Sequence, residues 1–259
     1  MTDPTTAAGA ELRALHEPGR PLVLVNAWDV ASAERVVAAG ARAVATSSAA
    51  IAASLGLPDD PTAPVDLMFA AIGRIAAAVD VPVTADVLDG YGLDPAELVD
   101  RLLAAGAVGC NIEDSDHAHP GSLLDPSEAA DRIAAVRSAT RHAGVDIVIN
   151  ARVDAYFHEG PDAGPDVTAD VVARGRRYLD AGADCVYPIR LSDPARVREI
   201  TERLDAPVNA NLGKGVTVAE LAAAGASRIS IGPTAYWRAL ATVDQIAAEL
   251  LAAVAGTAV

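Results

Sequence analysis

The chain has 259 residues and a formal net charge of −15 at pH 7, and 51% of its residues are hydrophobic although only 3% are aromatic. The acidic balance argues against nucleic acid and acidic membrane surfaces as partners, because both attract clusters of lysine and arginine. No apolar run is long enough to span a bilayer, and no secretory signal is visible at the N-terminus. We therefore expect a soluble, cytoplasmic α/β protein whose core consists mainly of Ala, Val, Leu and Ile.

Short apolar runs alternate with helix-like segments along the chain. Residues 1–20 are expected to form an N-terminal extension with a short helix at residues 11–17. Eight strands are predicted after it, at residues 22–26, 42–46, 81–85, 107–112, 145–151, 185–189, 207–210 and 227–231. Helices are predicted at residues 30–39, 67–79, 95–105, 126–143, 167–181, 194–204, 218–224 and 243–253.

This alternation predicts a single domain, residues 1–259, with the fold of a (β/α)8 TIM barrel. Eight strand–helix units are the number that closes such a barrel, and no linker divides the chain. Three of the predicted strand-to-helix loops are long, at residues 56–64, 115–125 and 158–166. Because all three follow the C-terminal ends of strands, we expect the functional site on that face.

The predicted strand at residues 107–112 ends in two adjacent carboxylates, Glu113 and Asp114. Carboxylates are costly in a core, so a pair held at the end of a buried strand indicates metal binding or acid–base chemistry. Alternatively, Asp114 could cap the following loop, and Glu113 could pair with an arginine.

Asp86 follows the preceding strand, so its carboxylate and that of Glu113 could converge on a cation that prefers oxygen ligands. Asp86 could instead bond the backbone of the turn that follows it. Arg152 follows the next strand along the chain. It could bind a substrate carboxylate or phosphonate with its planar fork, or it could only pair with Asp154 or Glu113.

Four further polar residues are open to two interpretations. Ser47 and Ser48 could bind an oxyanion through hydroxyl and backbone N–H groups, or they could form a turn or cap. His117 and His119 could bind a metal ion, although exposed residues of a loop are the simpler explanation for such a pair.

A series of short motifs resembles the isocitrate lyase/phosphoenolpyruvate mutase superfamily, and the resemblance covers almost the whole chain. Each motif is weak alone, whereas their order and spacing are specific. The motifs are Asn26-Ala-Trp-Asp29, Thr46-Ser-Ser-Ala-Ala50, Ser54-Leu-Gly-Leu-Pro-Asp59, Thr84-Ala-Asp86, Gly90-Tyr-Gly92, Asn111-Ile-Glu-Asp-Ser115, Asn150-Ala-Arg-Val-Asp154 and Pro207-Val-Asn209.

The resemblance implies a Mg²⁺-dependent barrel that makes or breaks a C–C or P–C bond beside a 2-oxo acid, through a species like pyruvate enolate. It implies that Asp86 and Glu113 hold the ion, in part through waters, and that Asp59 supports this site from behind. It also implies homodimers or homotetramers that exchange a C-terminal helix, for which residues 243–253 are the candidate.

For the substrate, the resemblance implies that Ser47 and the backbone of Ser48 and Ala49 cradle a carboxylate or enolate oxygen. Arg152 would hold an oxygen of the group that leaves or migrates, and Asn209 would hold another substrate oxygen. The residues predicted to act in catalysis are Ser47, Glu113 and Arg152.

Two departures from the superfamily pattern narrow the activity. The loop at residues 116–121 lacks the cysteine of isocitrate and methylisocitrate lyases and the Lys-Thr-Asn segment of the mutases, which argues against those activities. Thr84 also stands where many members carry a further aspartate, so one carboxylate near the metal is missing. The remaining pattern resembles the branch that contains oxaloacetate decarboxylases and hydrolases.

The leading hypothesis is therefore a Mg²⁺-dependent lyase or hydrolase of a small anionic 2-oxo or 2-hydroxy acid. Three alternatives stay open: phosphonate chemistry of the phosphoenolpyruvate mutase type, a metal-independent aldolase with a Schiff base on Lys214, and a non-catalytic 2-oxo acid sensor. No general base is assigned, since His117, His119 and Tyr187 are candidates only by reach.

Overall fold

A computed structural model describes residues 4–256 of the chain. Its helices are α1 (Pro4–Ala14), α2 (Val30–Ala38), α3 (Ser48–Ser54), α4 (Val65–Ala76), α5 (Pro95–Ala104), α6 (Pro126–His142), α7 (Ala155–Glu159), α8 (Pro165–Asp180), α9 (Pro194–Leu204), α10 (Val218–Ala223) and α11 (Thr234–Gly256). Its strands are β1 (Leu22–Leu24), β2 (Val44–Ala45), β3 (Val83–Asp86), β4 (Gly109–Glu113), β5 (Ser115–Asp116), β6 (Ser122–Leu123), β7 (Val148–Val153), β8 (Cys185–Pro188), β9 (Asn209–Asn211) and β10 (Arg228–Ser230).

The parallel strands form two sheets whose edges adjoin each other. One sheet has the strand order β1-β10-β9, and the other has the order β2-β3-β4-β7-β8. Two isolated parallel bridges connect the sheets, Ala27 with Thr46 and Val186 with Val208. The α/β arrangement is therefore barrel-like, with a five-stranded parallel half-barrel as its larger part. The strands β5 and β6 form a separate antiparallel hairpin.

Several helices begin with an aspartate that is followed by a proline. Asp94, Asp125 and Asp193 each cap a helix by accepting a backbone N–H bond, and a proline follows each of them in the first helical turn. The aspartate satisfies an N–H that has no partner inside the helix, and proline lacks such an N–H. Asp29 caps α2 in the same way, because its Oδ1 accepts from Ser32 N at 2.7 Å.

Helix α1 closes the N-terminal end of the strands. Leu12 of this helix is buried in one apolar cluster with Leu22 and Leu24 of β1. A Cβ atom added to Gly109 would lie 2.7 Å from Leu12 Cδ2, so the absence of a side chain there lets α1 approach β4 closely. The N-terminal helix thus covers the bottom of the fold, and the opposite end stays open.

The first and last helices differ most from their predicted bounds. The first helix spans Pro4–Ala14 instead of residues 11–17, because the alanine-rich start favours helix and Pro18 and Gly19 follow its end. The last helix spans Thr234–Gly256 instead of residues 243–253, because no proline or glycine interrupts the chain between these ends.

Most predicted strands begin one to three residues too early, as β4 shows. It begins at Gly109 rather than at residue 107, because Ala107 and Val108 are buried in the turn that leads into the strand and extend the apolar run. The predicted loop at residues 115–125 contains the β5–β6 hairpin. Within residues 4–256, no helix combines the length and apolar character that a membrane span requires.

Candidate active site

A large cavity opens at the C-terminal ends of the parallel strands, on the face predicted to carry the site. Its volume is about 1130 Å³, and strand ends and strand-to-helix loops line it. Two arginines, Arg152 and Arg190, contribute to the lining. The six lining carboxylates are Asp59, Asp60, Asp86, Glu113, Asp116 and Asp154. The cavity is therefore predominantly acidic.

Asp86 ends β3 and keeps one carboxylate oxygen without a hydrogen-bond partner among the described residues. Its Oδ2 accepts from Ser48 Oγ at 3.2 Å and from Ser48 N at 3.4 Å, whereas its buried Oδ1 accepts from no described group. The N–H of Asp86 donates to Thr46 Oγ1 at 3.0 Å, which holds the end of β3 against the segment before α3. Asp86 therefore contacts the start of α3, and the alternative in which it bonds the following turn is wrong.

Ser47 and Ser48 begin helix α3, a helix of seven residues that the sequence pattern does not predict. Ser47 is the N-cap of this helix, and its Oγ accepts from Ala50 N at 3.4 Å. Ser47, Ser48 and Ala49 all line the cavity. The capping role is thus confirmed, and it leaves these residues within reach of a ligand.

Glu113 ends β4, next to β3, and is only 4% exposed. Its Oε1 lies 2.8 Å from His117 Nε2, and its Oε2 lies 2.5 Å from Arg152 Nη1 in an ion pair that lacks hydrogen-bond geometry. Burial raises the pKa of the Glu113 carboxyl, and the charge of Arg152 and the bond from His117 only partly offset this rise. Glu113 therefore faces the cavity and also pairs with an arginine.

Arg152 of β7 lies between two carboxylates. Its Nε and Nη2 donate to the two oxygens of Asp154 at 2.6 and 2.8 Å, and its Nη1 contacts Glu113. Burial acts to lower the pKa of Arg152, but the charges of Asp154 and Glu113 raise it above its ordinary value. Each nitrogen of the guanidinium thus lies against a carboxylate, as expected from the alternative in which Arg152 pairs with Asp154 or Glu113.

Asp114 follows β4, bonds the start of α7 and helix α8, and is not among the described residues that line the cavity. Its Oδ1 accepts from Asp154 N at 2.8 Å, and its Oδ2 accepts from Tyr178 Oη at 2.6 Å and from Arg174 Nη1 at 3.2 Å. Burial raises the pKa of the Asp114 carboxyl, and these donors counteract the rise. The Asp114 carboxylate therefore bonds Asp154 and two residues of α8, and among the described residues it accepts no hydrogen bond from the loop at residues 115–125 that it was predicted to cap.

Asp59 lies in the segment between α3 and α4 and lines the cavity. Partial burial raises the pKa of the Asp59 carboxyl, and the charge of Asp86 raises it further, although part of the residue remains exposed. The two carboxylates are close enough to influence each other, as support of a metal site by Asp59 requires.

Asn209 is fully buried and does not line the cavity. Its Oδ1 accepts from Ser230 Oγ at 3.2 Å, and its Nδ2 has no partner within the described part of the chain. Asn211, two residues further along β9, does line the cavity, and its Oδ1 accepts from Arg190 N at 2.5 Å. The substrate contact of Asn209 stays a prediction, and Asn211 is the residue of this strand that reaches the cavity.

The remaining candidates lie near the mouth of the cavity or outside it. His117 is at the mouth, where its bond to Glu113 raises its pKa. His119 is exposed, and its Nδ1 lies 2.8 Å from Asp116 Oδ2. Lys214 is exposed and does not line the cavity. The structure therefore provides no desolvated lysine for the Schiff-base alternative.

Two cavity residues on the short helix α7 are not identified from the sequence pattern. Phe157 lies near both guanidinium groups, with Arg190 Cζ 4.1 Å and Arg152 Cζ 5.6 Å from the centroid of its ring. His158 Nε2 lies 3.2 Å from Ser115 Oγ. A helix of five residues has no readable periodicity, and the only signal is an aromatic–histidine pair soon after Asp154.

The described residues contain no group of three or more His, Cys, Asp or Glu side chains arranged around a common metal position. Mg²⁺ commonly uses only one or two protein carboxylates and completes its shell with water and substrate oxygens. Asp86, with its unpartnered Oδ1, and Glu113 on the adjacent strand are donors of this type. The residues present therefore fit Mg²⁺, with Glu113 exchanging or sharing its contact with Arg152.

Comparison with known proteins shows similarity along nearly the whole chain. Residues 12–251 match the family model described as Phosphoenolpyruvate phosphomutase. The chain is 35% identical to the uncharacterized protein Rv1998c of Mycobacterium tuberculosis, over 86% of this chain and 81% of that protein. It is 30% identical to 2-methylisocitrate lyase of Escherichia coli, over 76% of this chain and 71% of the enzyme. A solved Burkholderia cenocepacia structure, provisionally described as a phosphonomutase, has a TM-score of 0.88 and 41% identity, over 95% of this chain and 99% of that chain.

Proposed function

This chain belongs to the phosphoenolpyruvate phosphomutase family, and on that premise we propose that it is a Mg²⁺-dependent lyase or hydrolase of a small 2-oxo or 2-hydroxy acid. The reaction cleaves a C–C bond, or a P–C bond, through a pyruvate-enolate-like intermediate. The wider isocitrate lyase/phosphoenolpyruvate mutase superfamily consists of lyases and mutases that act on small acids, and this chain is an enzyme of that superfamily.

The carboxylate of Asp86 is the observation that carries the proposal. Ser48 satisfies one of its oxygens, and the other is buried without a donor among residues 4–256. A buried carboxylate oxygen without a partner is costly, so its position at the cavity favours a cation as its ligand. Asp86 and Glu113 would hold Mg²⁺, which would supply positive charge where the 2-oxo oxygen becomes negative.

The residues around this pair are assigned to the substrate. The Oγ of Ser47 accepts from Ala50 N, so its O–H can still donate to a substrate carboxylate, together with the backbone N–H groups of Ser48 and Ala49. Asp154 orients Arg152 in a bidentate pair, and Arg152 holds an oxygen of the departing group. 

Two more distant residues complete the proposed site. Asp59 supports the metal site through the ligands around Asp86. We also propose that Asn209 contacts the substrate. Because Asn209 does not line the cavity, this contact requires the substrate to reach deeper than the residues that line it.

Calorimetric titration with oxalate, an isostere of pyruvate enolate, tests the proposal. We expect binding in Mg²⁺ and at least about 100-fold weaker binding in EDTA, because the proposed site needs the cation for an anionic ligand. Binding of equal strength in both solutions, or in neither, would contradict the proposal. Binding only with Mg²⁺ justifies a screen of 2-oxo acids for release of pyruvate.

A phosphonate mutase is the second candidate, because the matching family and the Burkholderia structure both carry that description. The loop at residues 115–125 has no lysine and folds as a hairpin, which argues against a gating segment of the mutase type. Phosphorus NMR of the protein with phosphonopyruvate and Mg²⁺ separates the two candidates, since a mutase converts the C–P signal into the phosphate-ester signal of phosphoenolpyruvate and a C–C lyase does not.

We also propose that residues 1–259 form one domain with a closed (β/α)8 barrel, and that α11 is exchanged between copies in a homodimer or homotetramer. Along α11, large apolar side chains remain exposed, including Val243 at 60%, Leu250 at 65% and Leu251 at 70%. Exposed apolar surface of this kind is typical of a subunit interface. Light scattering should give a mass of two or four chains, and a monomeric mass would contradict the exchange.

A further inference from the structure

We propose that Arg190 selects substrates with two negative groups, by binding a second carboxylate distal to the 2-oxo group. This inference rests on the proposed function, because it requires the 2-oxo end of the substrate to lie near Asp86 and Glu113. It narrows the substrate class to 2-oxo or 2-hydroxy dicarboxylates, and it assigns their selection to a residue at the cavity mouth.

Charge balance distinguishes Arg190 from the other arginine of the cavity. Arg152 contacts the carboxylates of Asp154 and Glu113, so its charge is already compensated. Arg190, by contrast, forms no ion pair with any carboxylate in the described part of the chain, although it lines the same cavity. In a chain of net charge −15, an acidic cavity repels anions, and a free guanidinium at its mouth offsets that repulsion.

The local backbone holds Arg190 in an unusual conformation. Its φ of +67° lies in the left-handed region, which a residue with a side chain rarely adopts. Its N–H donates to Asn211 Oδ1 at 2.5 Å, and that amide also contacts Tyr187 Oη. Strained residues held by their surroundings concentrate at functional sites. Glycine would adopt this backbone conformation more readily, yet the position at the cavity is occupied by an arginine.

The ring of Phe157 fixes the guanidinium without neutralising it. Arg190 Cζ lies 4.1 Å from the ring centroid, which is a stacking distance for a cation on an aromatic face. Stacking uses the face of the guanidinium and leaves the N–H groups at its edge available for a carboxylate in bidentate geometry. Arg190 is therefore oriented for an anion that the protein itself does not supply.

The same ring relates Arg190 to the proposed reaction centre. Arg152 Cζ lies 5.6 Å from the Phe157 centroid, and Arg152 also contacts Glu113, one of the proposed metal ligands. Both arginines therefore lie on the same side of the cavity, next to Phe157. A short substrate whose 2-oxo end lies at Asp86 and Glu113 can extend past Arg152 and present its second carboxylate to Arg190.

Two ligands that differ in one carboxylate test this inference. N-oxalylglycine has an oxalyl group and a distal carboxylate, whereas N-ethyloxamate has the same oxalyl group without that carboxylate. Calorimetry in Mg²⁺ should show that the wild-type protein binds N-oxalylglycine about tenfold more tightly. Arg190→Gln should abolish this preference and change the affinity for oxalate less than about twofold, because oxalate is too short to reach Arg190.

Arg196→Gln is the matched control, since Arg196 also stacks on an aromatic ring, at 5.9 Å from the Tyr156 centroid, but does not line the cavity. It should keep the wild-type preference. The inference would be overturned if Arg190→Gln kept the preference for N-oxalylglycine. It would also be overturned if this variant bound N-oxalylglycine, N-ethyloxamate and oxalate more weakly by the same factor. Either result would leave the proposed function intact. Failure of the wild-type protein to bind oxalate with Mg²⁺ would overturn the proposed function and this inference together.

Discussion

The two ends of the barrel-like fold differ in how their charges are compensated. At the closed end, Arg137 lies 2.5 Å from Asp146 and 2.6 Å from Asp184, and Arg13 lies 3.0 Å from each of the same aspartates. Two cations thus face two anions. At the open end, the described residues that line the cavity include six carboxylates and only two arginines.

This difference separates groups that stabilise the fold from groups that await a ligand. Compensated charges at the closed end tie α1, α6 and the strand entrances together. Uncompensated charges cost stability, and proteins retain them where function requires them. The charge imbalance therefore marks the open end as the site of binding, independently of any motif.

Arg228 is an exception to full pairing in the interior. It is 1% exposed, and Nη2 bonds Asn111 Oδ1 at 3.2 Å, whereas Nε and Nη1 have no partner among the described residues. Burial lowers the pKa of this guanidinium. Arg137 and Arg228 can therefore be compared as two buried arginines, of which Arg137 contacts two carboxylates and Arg228 contacts none within residues 4–256.

Replacement of each buried arginine by methionine should produce the largest difference in stability. Arg137→Met should lower the free energy of unfolding by about 3 kcal/mol, because Asp146 and Asp184 each lose one of their two arginine partners and keep only Arg13. Arg228→Met should change it by less than about 1 kcal/mol or raise it, because no ion pair is broken. Urea unfolding followed by circular dichroism measures both values. Equal losses would contradict the distinction.

Asp86→Ala should have the largest effect on ligand binding. Loss of the proposed metal ligand should weaken Mg²⁺-dependent binding of oxalate at least about 100-fold, equivalent to about 2.7 kcal/mol. Asp60→Ala is the control, since Asp60 lines the same cavity but its Oδ1 accepts from Thr62 N at 2.7 Å. Calorimetry should show a much smaller effect for this control, and unchanged affinity in Asp86→Ala would exclude its role as a ligand.

At the closed end, His16 should make stability depend on pH. Burial, and after it the charge of Arg228, lowers the pKa of His16 to about 4, below its ordinary value of 6.5. Between these values the unfolded chain binds a proton that the folded chain does not bind. The free energy of unfolding should therefore fall by about 1.4 kcal/mol per pH unit from pH 6.5 to 4, and this contribution should be constant above pH 6.5.

Urea unfolding at several pH values measures this slope. The His16→Gln variant should lack the His16 contribution, and His142→Gln, which changes an exposed histidine, should retain it. A slope that is identical in all three proteins would show that His16 does not titrate in this way.

Arg152→Lys should have a smaller effect on binding. Lysine keeps the positive charge between Asp154 and Glu113 but loses the planar fork, so affinity for N-oxalylglycine should fall about tenfold, or about 1.4 kcal/mol. Arg174→Lys is the control, since Arg174 pairs with Asp114 outside the cavity lining and should affect stability alone. Unchanged affinity in Arg152→Lys would assign Arg152 to structure only.

Much of the architecture follows from local sequence. Apolar runs, Asp-Pro helix starts and the order of strands and helices predict the α/β alternation, because each depends on neighbouring residues. The same alternation places Asp86, Glu113 and Arg152 on one face, since the C-terminal ends of parallel strands meet there. Short helices such as α3 and α7 escape prediction because they are too brief to show a period.

The sequence by itself determined which side chains end the strands, and so which groups can meet in the cavity. Only the tertiary structure decided how these groups are paired. Arg152 contacts two carboxylates, whereas Arg190 stacks on Phe157 and contacts no carboxylate of the described residues. Asn211 rather than Asn209 reaches the cavity. The physical reason is that pairing depends on distances between loops far apart in the chain. Those distances are set by the packing and curvature of the whole sheet, which no local propensity specifies.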